Sequence, residues 1–191
     1  TLFRSKEVMI LLRNPTRGTI LGENEKNVMS VDLLKVARMV SISVDLLEYG
    51  VYHHGERVAY IAYRLFREMF PDKDALPTVL AGLLHDIGID TGELKKEARN
   101  FIVEDYIISK HCEEGEMLLD KVDLLKGLKP FIRHHHTRYG DIEGTKGEAV
   151  PIEAQIICLA DRVEVLIDQN QYILSQKGRI KGKIKDFSKD L

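Results

Sequence analysis

A chain of 191 residues, 44% hydrophobic and 30% charged, has enough apolar mass for one buried core and is neither a disordered tail nor a collagen-like repeat. A formal net charge of -2 and a pI near 6.4 exclude the field that would draw a whole domain to nucleic acid or an anionic membrane. Two cysteines, Cys112 and Cys158, exclude a disulfide scaffold and suit a reducing cytoplasm. No apolar stretch approaches the roughly 20 residues of a membrane span, and no signal peptide is visible, so a cytoplasmic location is expected. The start at Thr1 suits a piece of a longer polypeptide, with an upstream sensor domain or a homodimer as the expected company.

Taken in chain order, residues 1–29 hold turn-formers (Asn14, Pro15, Gly18, Gly22) and read as a linker or the end of an upstream region. From Ser30, Leu33, Leu34, Ala37, Val40, Val44 and Leu47 recur at three- and four-residue spacing, which predicts a long helix ending at Gly50. The next helix spans His54 to Phe70, because Val58, Ile61, Ala62, Leu65 and Met69 share a stripe with His54. Pro71 ends it. Asp74 can cap a helix over 75–87 that carries His85 and Asp86 at its C-terminal end and stops at Gly88.

A helix over 103–121 places Ile107, His111, Gly115 and Leu118 on one stripe, and Pro130 kinks or restarts the run that leads to His135. Residues 137–149, rich in glycine and charge, read as a surface loop. Pro151 opens a helix to about Asp168 in which Asp161 sits between Ile157 and Val165 on an apolar stripe. Strand-like alternation is almost absent, so the fold class is all-α, with the domain over 30–176 and a basic tail over 177–191. That tail reads as a solvated helix or frayed end, the start of a truncated terminal helix, with stable DNA or membrane binding not expected.

Five histidines (His54, His85, His111, His135, His136) and two acids (Asp86, Asp161) fall on inward stripes or inward helix ends of five predicted helices. One such histidine is an ordinary hydrogen-bonded core residue. Seven polar groups buried without partners would cost several kcal/mol each at the upper end of transfer estimates, and metal ions remove that cost. Imidazole with carboxylate favours two divalent transition-metal ions, Fe or Mn first and Zn, Co or Ni next. Seven ligands exceed one tetrahedral zinc, whereas a two-metal site with a bridging Asp uses them. Asp86 is the bridge candidate, since adjacent residues at a helix end can aim at one point.

The blocks His54-Gly-Glu-Arg57-Val-Ala, Leu84-His85-Asp86-Ile87-Gly88, His111-Cys-Glu-Glu-Gly115, Ile132-Arg-His-His135-His136 and Pro151-Ile-Glu-Ala154 leading to Ala160-Asp161 resemble the HD superfamily of metal-dependent phosphohydrolases. The resemblance is closest to its HD-GYP branch, the cyclic di-GMP phosphodiesterases. It implies a helical bundle around a binuclear metal site, with His54, His85, Asp86 and Asp161 on one ion, His111, His135 and His136 on the other, and Asp86 shared. It also implies a metal-activated water attacking a nucleotide or cyclic dinucleotide phosphodiester, cyclic di-GMP first.

The departures touch substrate handling. Ile89 stands where the branch has a lysine, Thr137 replaces a glutamate, and the loop Thr137-Arg138-Tyr139-Gly140 onward lacks the Gly-Tyr-Pro tripeptide. Gly50 stands where members with a third metal use a glutamate, and Glu48 is out of register, so two metals are expected. Arg57 is a catalytic candidate beside Asp86, and Arg138 and Lys146 are candidates for substrate phosphate. The competing expectation is a degenerate module that keeps fold and metal but serves as a ligand sensor or protein-interaction domain.

Overall fold

The computed structural model describes residues 17–20, 29–46, 52–89, 104–137 and 150–187. It is an all-α helical bundle preceded by one antiparallel hairpin. Strand β1 (Arg17–Ile20) pairs with β2 (Met29–Asp32), Arg17 opposite Asp32 and Ile20 opposite Met29. This hairpin lies partly within the segment read as a linker or the end of an upstream region, and its second strand occupies the start of the segment read as helix. Four-residue strands are too short to show a period of two. It also moves the start of the first helix: α1 runs Leu33–Asp45, and Asp32 caps it by accepting from the Lys35 N–H at 3.2 Å.

Helix α2 (His54–Met69) follows its predicted span, and Phe70 closes it before Pro71. Helix α3 (Leu76–Leu84) is shorter than expected. Asp74 accepts from the Leu76 N–H at 3.0 Å, but the helix stops before His85. The Ile87 N–H then turns to the Leu84 carbonyl, and the Ile89 N–H to that of Asp86. The reason is packing: a Cβ on Gly88 would lie 2.1 Å from the His111 carbonyl oxygen and 2.4 Å from the Gly115 nitrogen. Continued helix would not bring the two backbones so close.

Helix α4 (Glu104–Asp120) carries His111 and Gly115. A 3-10 helix (Asp123–Leu128) leads into the short α5 (Lys129–Arg133), which restarts the run with Pro130 in its first turn, where a missing N–H costs nothing. Helix α6 is Ile152–Val165, with Pro151 as its extended N-cap residue. Helix α7 (Ile173–Phe187) runs through position 176, so part of the basic segment is helical.

Helix α2 lies against both α3 and α6, and α5 touches α3, α4 and α6. Val58, Ala62, Phe66, Leu80, Leu84, Ile132, Ile157 and Ala160 form the core. Each fully buried large side chain contributes about 1.5–3 kcal/mol. Gly82 allows a close crossing of α3 and α2, since a Cβ there would meet the Ala59 Cα at 2.8 Å. That crossing sets the end of α3, with His85 and Asp86, beside the start of α2, with His54.

Candidate metal centre

The seven predicted residues come from five segments and meet inside the bundle. His54 opens α2, His85 and Asp86 form the turn after α3, His111 lies within α4, His135 and His136 follow α5, and Asp161 lies within α6. His85 and His135 are 1% and 0% exposed, which makes their partners decisive. His53 and His134, outside the predicted set, bond elsewhere: His53 Nδ1 lies 2.7 Å from Glu56 Oε2, and His134 Nδ1 lies 3.2 Å from Thr137 Oγ1.

Two groups share Asp86. In the first, His54 Nε2 is 3.3 Å from His85 Nε2 and 3.2 Å from Asp161 Oδ1. Asp86 Oδ2 is 2.9 Å from His85 Nε2 and 3.5 Å from His54 Nε2, and His85 Nε2 is 4.0 Å from Asp161 Oδ1. In the second, His111 Nε2 is 3.1 Å from His135 Nε2, and Asp86 Oδ1 is 3.6 Å from His111 Nε2. The His136 ring lies tilted at 4.1 Å from that of His135 and edge-on at 5.0 Å from that of His111.

The outer nitrogens fix what the inner ones present. His85 Nδ1 lies 3.0 Å from the Gly82 carbonyl, His135 Nδ1 lies 2.7 Å from that of Ile132, and His54 Nδ1 lies 2.6 Å from Glu164 Oε2. Carbonyls and carboxylates only accept, so each Nδ1 donates, and a neutral ring then turns an Nε2 lone pair inward. Lone pairs facing lone pairs and carboxylates at about 3 Å require protons or a cation between them. Donor atoms about 2.0–2.2 Å from one ion stand roughly 3–4 Å apart, and both groups have that spacing. The donor set therefore fits divalent metal, with the outer bonds orienting each ligand.

Electrostatics divide the two groups in the metal-free chain. Burial pushes the His54 pKa down, but the hydrogen bonds it donates to Asp161, Asp86 and Glu164 outweigh it and raise the pKa to about 12. His85 is raised in the same way, against burial, by the Asp86 charge and hydrogen bond. Asp86 is held well below the usual carboxylate range, since the charge of His85 and the bond to His54 overcome its burial. In the second group, burial and then the charges of His136 and His85 push His135 well down. Burial and then His111 bring His136 to about 4. A proton on His54 thus takes the cation's place in the first group, while His135 and His136 of the second are neutral imidazoles.

Glu164 was not foreseen. It sits one turn after Asp161 on α6, and that i,i+3 spacing is the signal that could have found it. Arg57 bonds Glu164 Oε1 through Nε and the Tyr52 carbonyl through Nη1, so it reaches the site through Glu164. Cys112 is the other addition. Its Sγ lies 3.6 Å from His135 Nδ1 and 3.8 Å from His111 Nε2. Burial, with the Asp86 charge, pushes its pKa up to about 12, which keeps it a thiol in the metal-free chain. Half-buried Ile89 adjoins the Asp86 turn. Arg138, Lys146, Gly50 and Glu48 lie outside the described residues.

These features define a class: a helical bundle that gathers histidines and aspartates from distant parts of the chain into a metal-binding core. The HD domain profile matches residues 51–166, more than half of the chain. The chain belongs to the HD domain family, which points to metal-dependent phosphohydrolase activity. No curated protein and no solved structure matches it. Among the described residues no helix is long and apolar enough to cross a membrane.

Proposed function

We propose that the chain is a dinuclear phosphodiesterase of HD-GYP type. His54, His85, Asp86 and Asp161 hold one divalent ion, Asp86 with His111, His135 and His136 holds the second, and a cyclic dinucleotide, cyclic di-GMP first, is the substrate. The observation that carries this reading is the division of the Asp86 carboxylate: Oδ2 faces His54 and His85, while Oδ1 faces His111. A carboxylate so placed could serve two ions at once. Ions held by these residues would supply Lewis acidity toward the phosphodiester and toward water.

The chain's own side chains do the rest. Glu164 holds the His54 ring, Arg57 steadies Glu164, and the Gly82 and Ile132 carbonyls fix His85 and His135. The substrate class rests on the resemblance to HD-GYP sequences, and Arg138 and Lys146 are the proposed phosphate contacts. A second reading, a ligand-sensing module that keeps its metals without turnover, is favoured by apolar Ile89 beside the site in place of a cation. One experiment separates them. Protein purified without a polyhistidine tag, with Fe or Mn supplied anaerobically, should hold about two ions per chain and cleave cyclic di-GMP in a panel of cyclic dinucleotides and aryl phosphodiesters. Fewer than one ion per chain would overturn both readings; two ions with no turnover on any substrate would select the sensor.

A further inference from the structure

Helix α2 begins without a cap of its own. Its N-cap residue His53 has φ 59 and ψ 28, makes no side-chain capping bond, and turns its imidazole to Glu56 instead. The first N–H groups of a helix still need acceptors. The acceptor comes from the end of α1: Asp45 Oδ1 takes the Gly55 N–H at 3.4 Å. A negative charge there also complements the positive end of the helix.

The other Asp45 oxygen is unaccounted for. Asp45 is 5% exposed and Ser41, one turn earlier on α1, is 2% exposed. Neither Asp45 Oδ2 nor Ser41 Oγ has a hydrogen-bond partner among the described residues. Both residues line a cavity of about 10 Å³ bounded also by Gly55, Leu83, His85 and Asp86. Gly55 leaves this space open, since a Cβ there would lie 2.3 Å from Ser41 Oγ and 3.2 Å from the Leu83 carbonyl oxygen. The volume suits one water, and the walls offer a carboxylate acceptor and a hydroxyl.

We propose that Asp45 is a positioning residue for the metal centre: it caps α2 from α1 and so fixes His54, while one buried water in the cavity over Gly55, shared with Ser41, holds its carboxylate. This rests on the metal site proposed above. His54 is the first residue of its helix, where the backbone frays unless it is tied down, and the cap makes its Nε2 a fixed donor.

The test uses cobalt(II) as probe, titrated against a competing chelator and followed by its visible spectrum, with unfolding of the chelated protein in parallel. Asp45→Ala should weaken the first-bound cobalt 10- to 100-fold, the usual effect of losing an outer support, and shift its visible bands. Asp45→Asn keeps a carbonyl acceptor for the Gly55 N–H and should restore affinity to within about threefold. A high-resolution crystal structure of the parent chain should show a water between Ser41 and Asp45. Parent-like cobalt binding by Asp45→Ala, or a dry cavity, overturns the inference. If Asp45→Ala does not fold, the Asn variant decides: near-parental binding upholds the cap, and lost binding in a folded variant overturns it. A parent chain that holds no cobalt refutes the metal reading first, and the inference with it.

Discussion

The turn that carries His85 and Asp86 depends on one backbone contact, and Gly88→Ala tests it. A Cβ at this position would lie 2.1 Å from the His111 carbonyl oxygen, 2.4 Å from the Gly115 nitrogen and 3.0 Å from the Gly115 Cα. All three are backbone atoms, so no side chain can rotate away. To reach ordinary contact at 3.4 Å, the turn and α4 must part by about 1.3 Å. Asp86 is on the turn and His111 is on α4, so their 3.6 Å separation would grow toward ~5 Å, beyond the ~4.2 Å that two ligands on opposite sides of one ion can span. The expected cost is about 1–3 kcal/mol in urea unfolding, as for other overpacked sites, with loss of one of two bound ions. Gly127→Ala is the control, because nothing lies within 4 Å of a Cβ there. A Gly88→Ala protein with parental stability and both ions would refute the contact as the device that brings Asp86 to His111.

Asp86→Ala should remove the second ion and reduce hydrolysis to background, because its two carboxylate oxygens face the two groups; two retained ions by elemental analysis would refute the bridge. Glu164→Gln, which keeps the shape and removes the charge behind His54, should weaken metal binding 10- to 100-fold in a chelator titration, and unchanged affinity would leave Glu164 without that role. Because His54 holds its proton in the metal-free chain, its pKa raised to about 12, the first divalent ion should release at least about one proton at pH 7, read in weak buffer; release of none would contradict the fit. The metal-free chain should also be most stable near pH 6.5, the ordinary histidine pKa. His54, raised to about 12, stabilises below that value and loses its contribution as pH rises toward 12. His136, lowered to about 4, stabilises above it and loses its contribution as pH falls toward 4. A melting temperature of chelated protein that stays flat from pH 6.5 to the alkaline end would refute the His54 half.

Much of the bundle was legible because periodicity reports burial. The stripe Val58, Ala62, Leu65 predicted α2 within a residue, and the proline-and-glycine punctuation found the breaks at Pro71 and Pro130. What failed was set by contacts distant in sequence. Helix α3 stops at Leu84 because Gly88 must meet Gly115, and no window around residue 84 contains that information. The hairpin was lost because four residues carry no measurable alternation, and its second strand displaced the predicted start of α1. The site was legible for a different reason: histidine on an apolar stripe is costly, so seven such residues announce themselves. Glu164 and Asp45 were silent because an acid near a helix end reads as a solvated cap until the opposite helix is known.

The charges in the first group explain why a fold can assemble this centre before metal arrives. Asp86, Asp161 and Glu164 are all held below the usual carboxylate range, and they face His54 with its proton, His85 with its pKa raised, and Arg57 bound to Glu164. A divalent ion that displaces imidazole protons gives back part of its charge, so loading adds less net charge to a low-dielectric core than the ion carries. In the second group burial and neighbouring charge keep His135 and His136 neutral, so those two rings have no proton to give up. The Asp86 carboxylate that faces this group is already committed on its other oxygen. The first site should accordingly bind more tightly than the second, and binding of the second should depend on Asp86 more steeply than binding of the first.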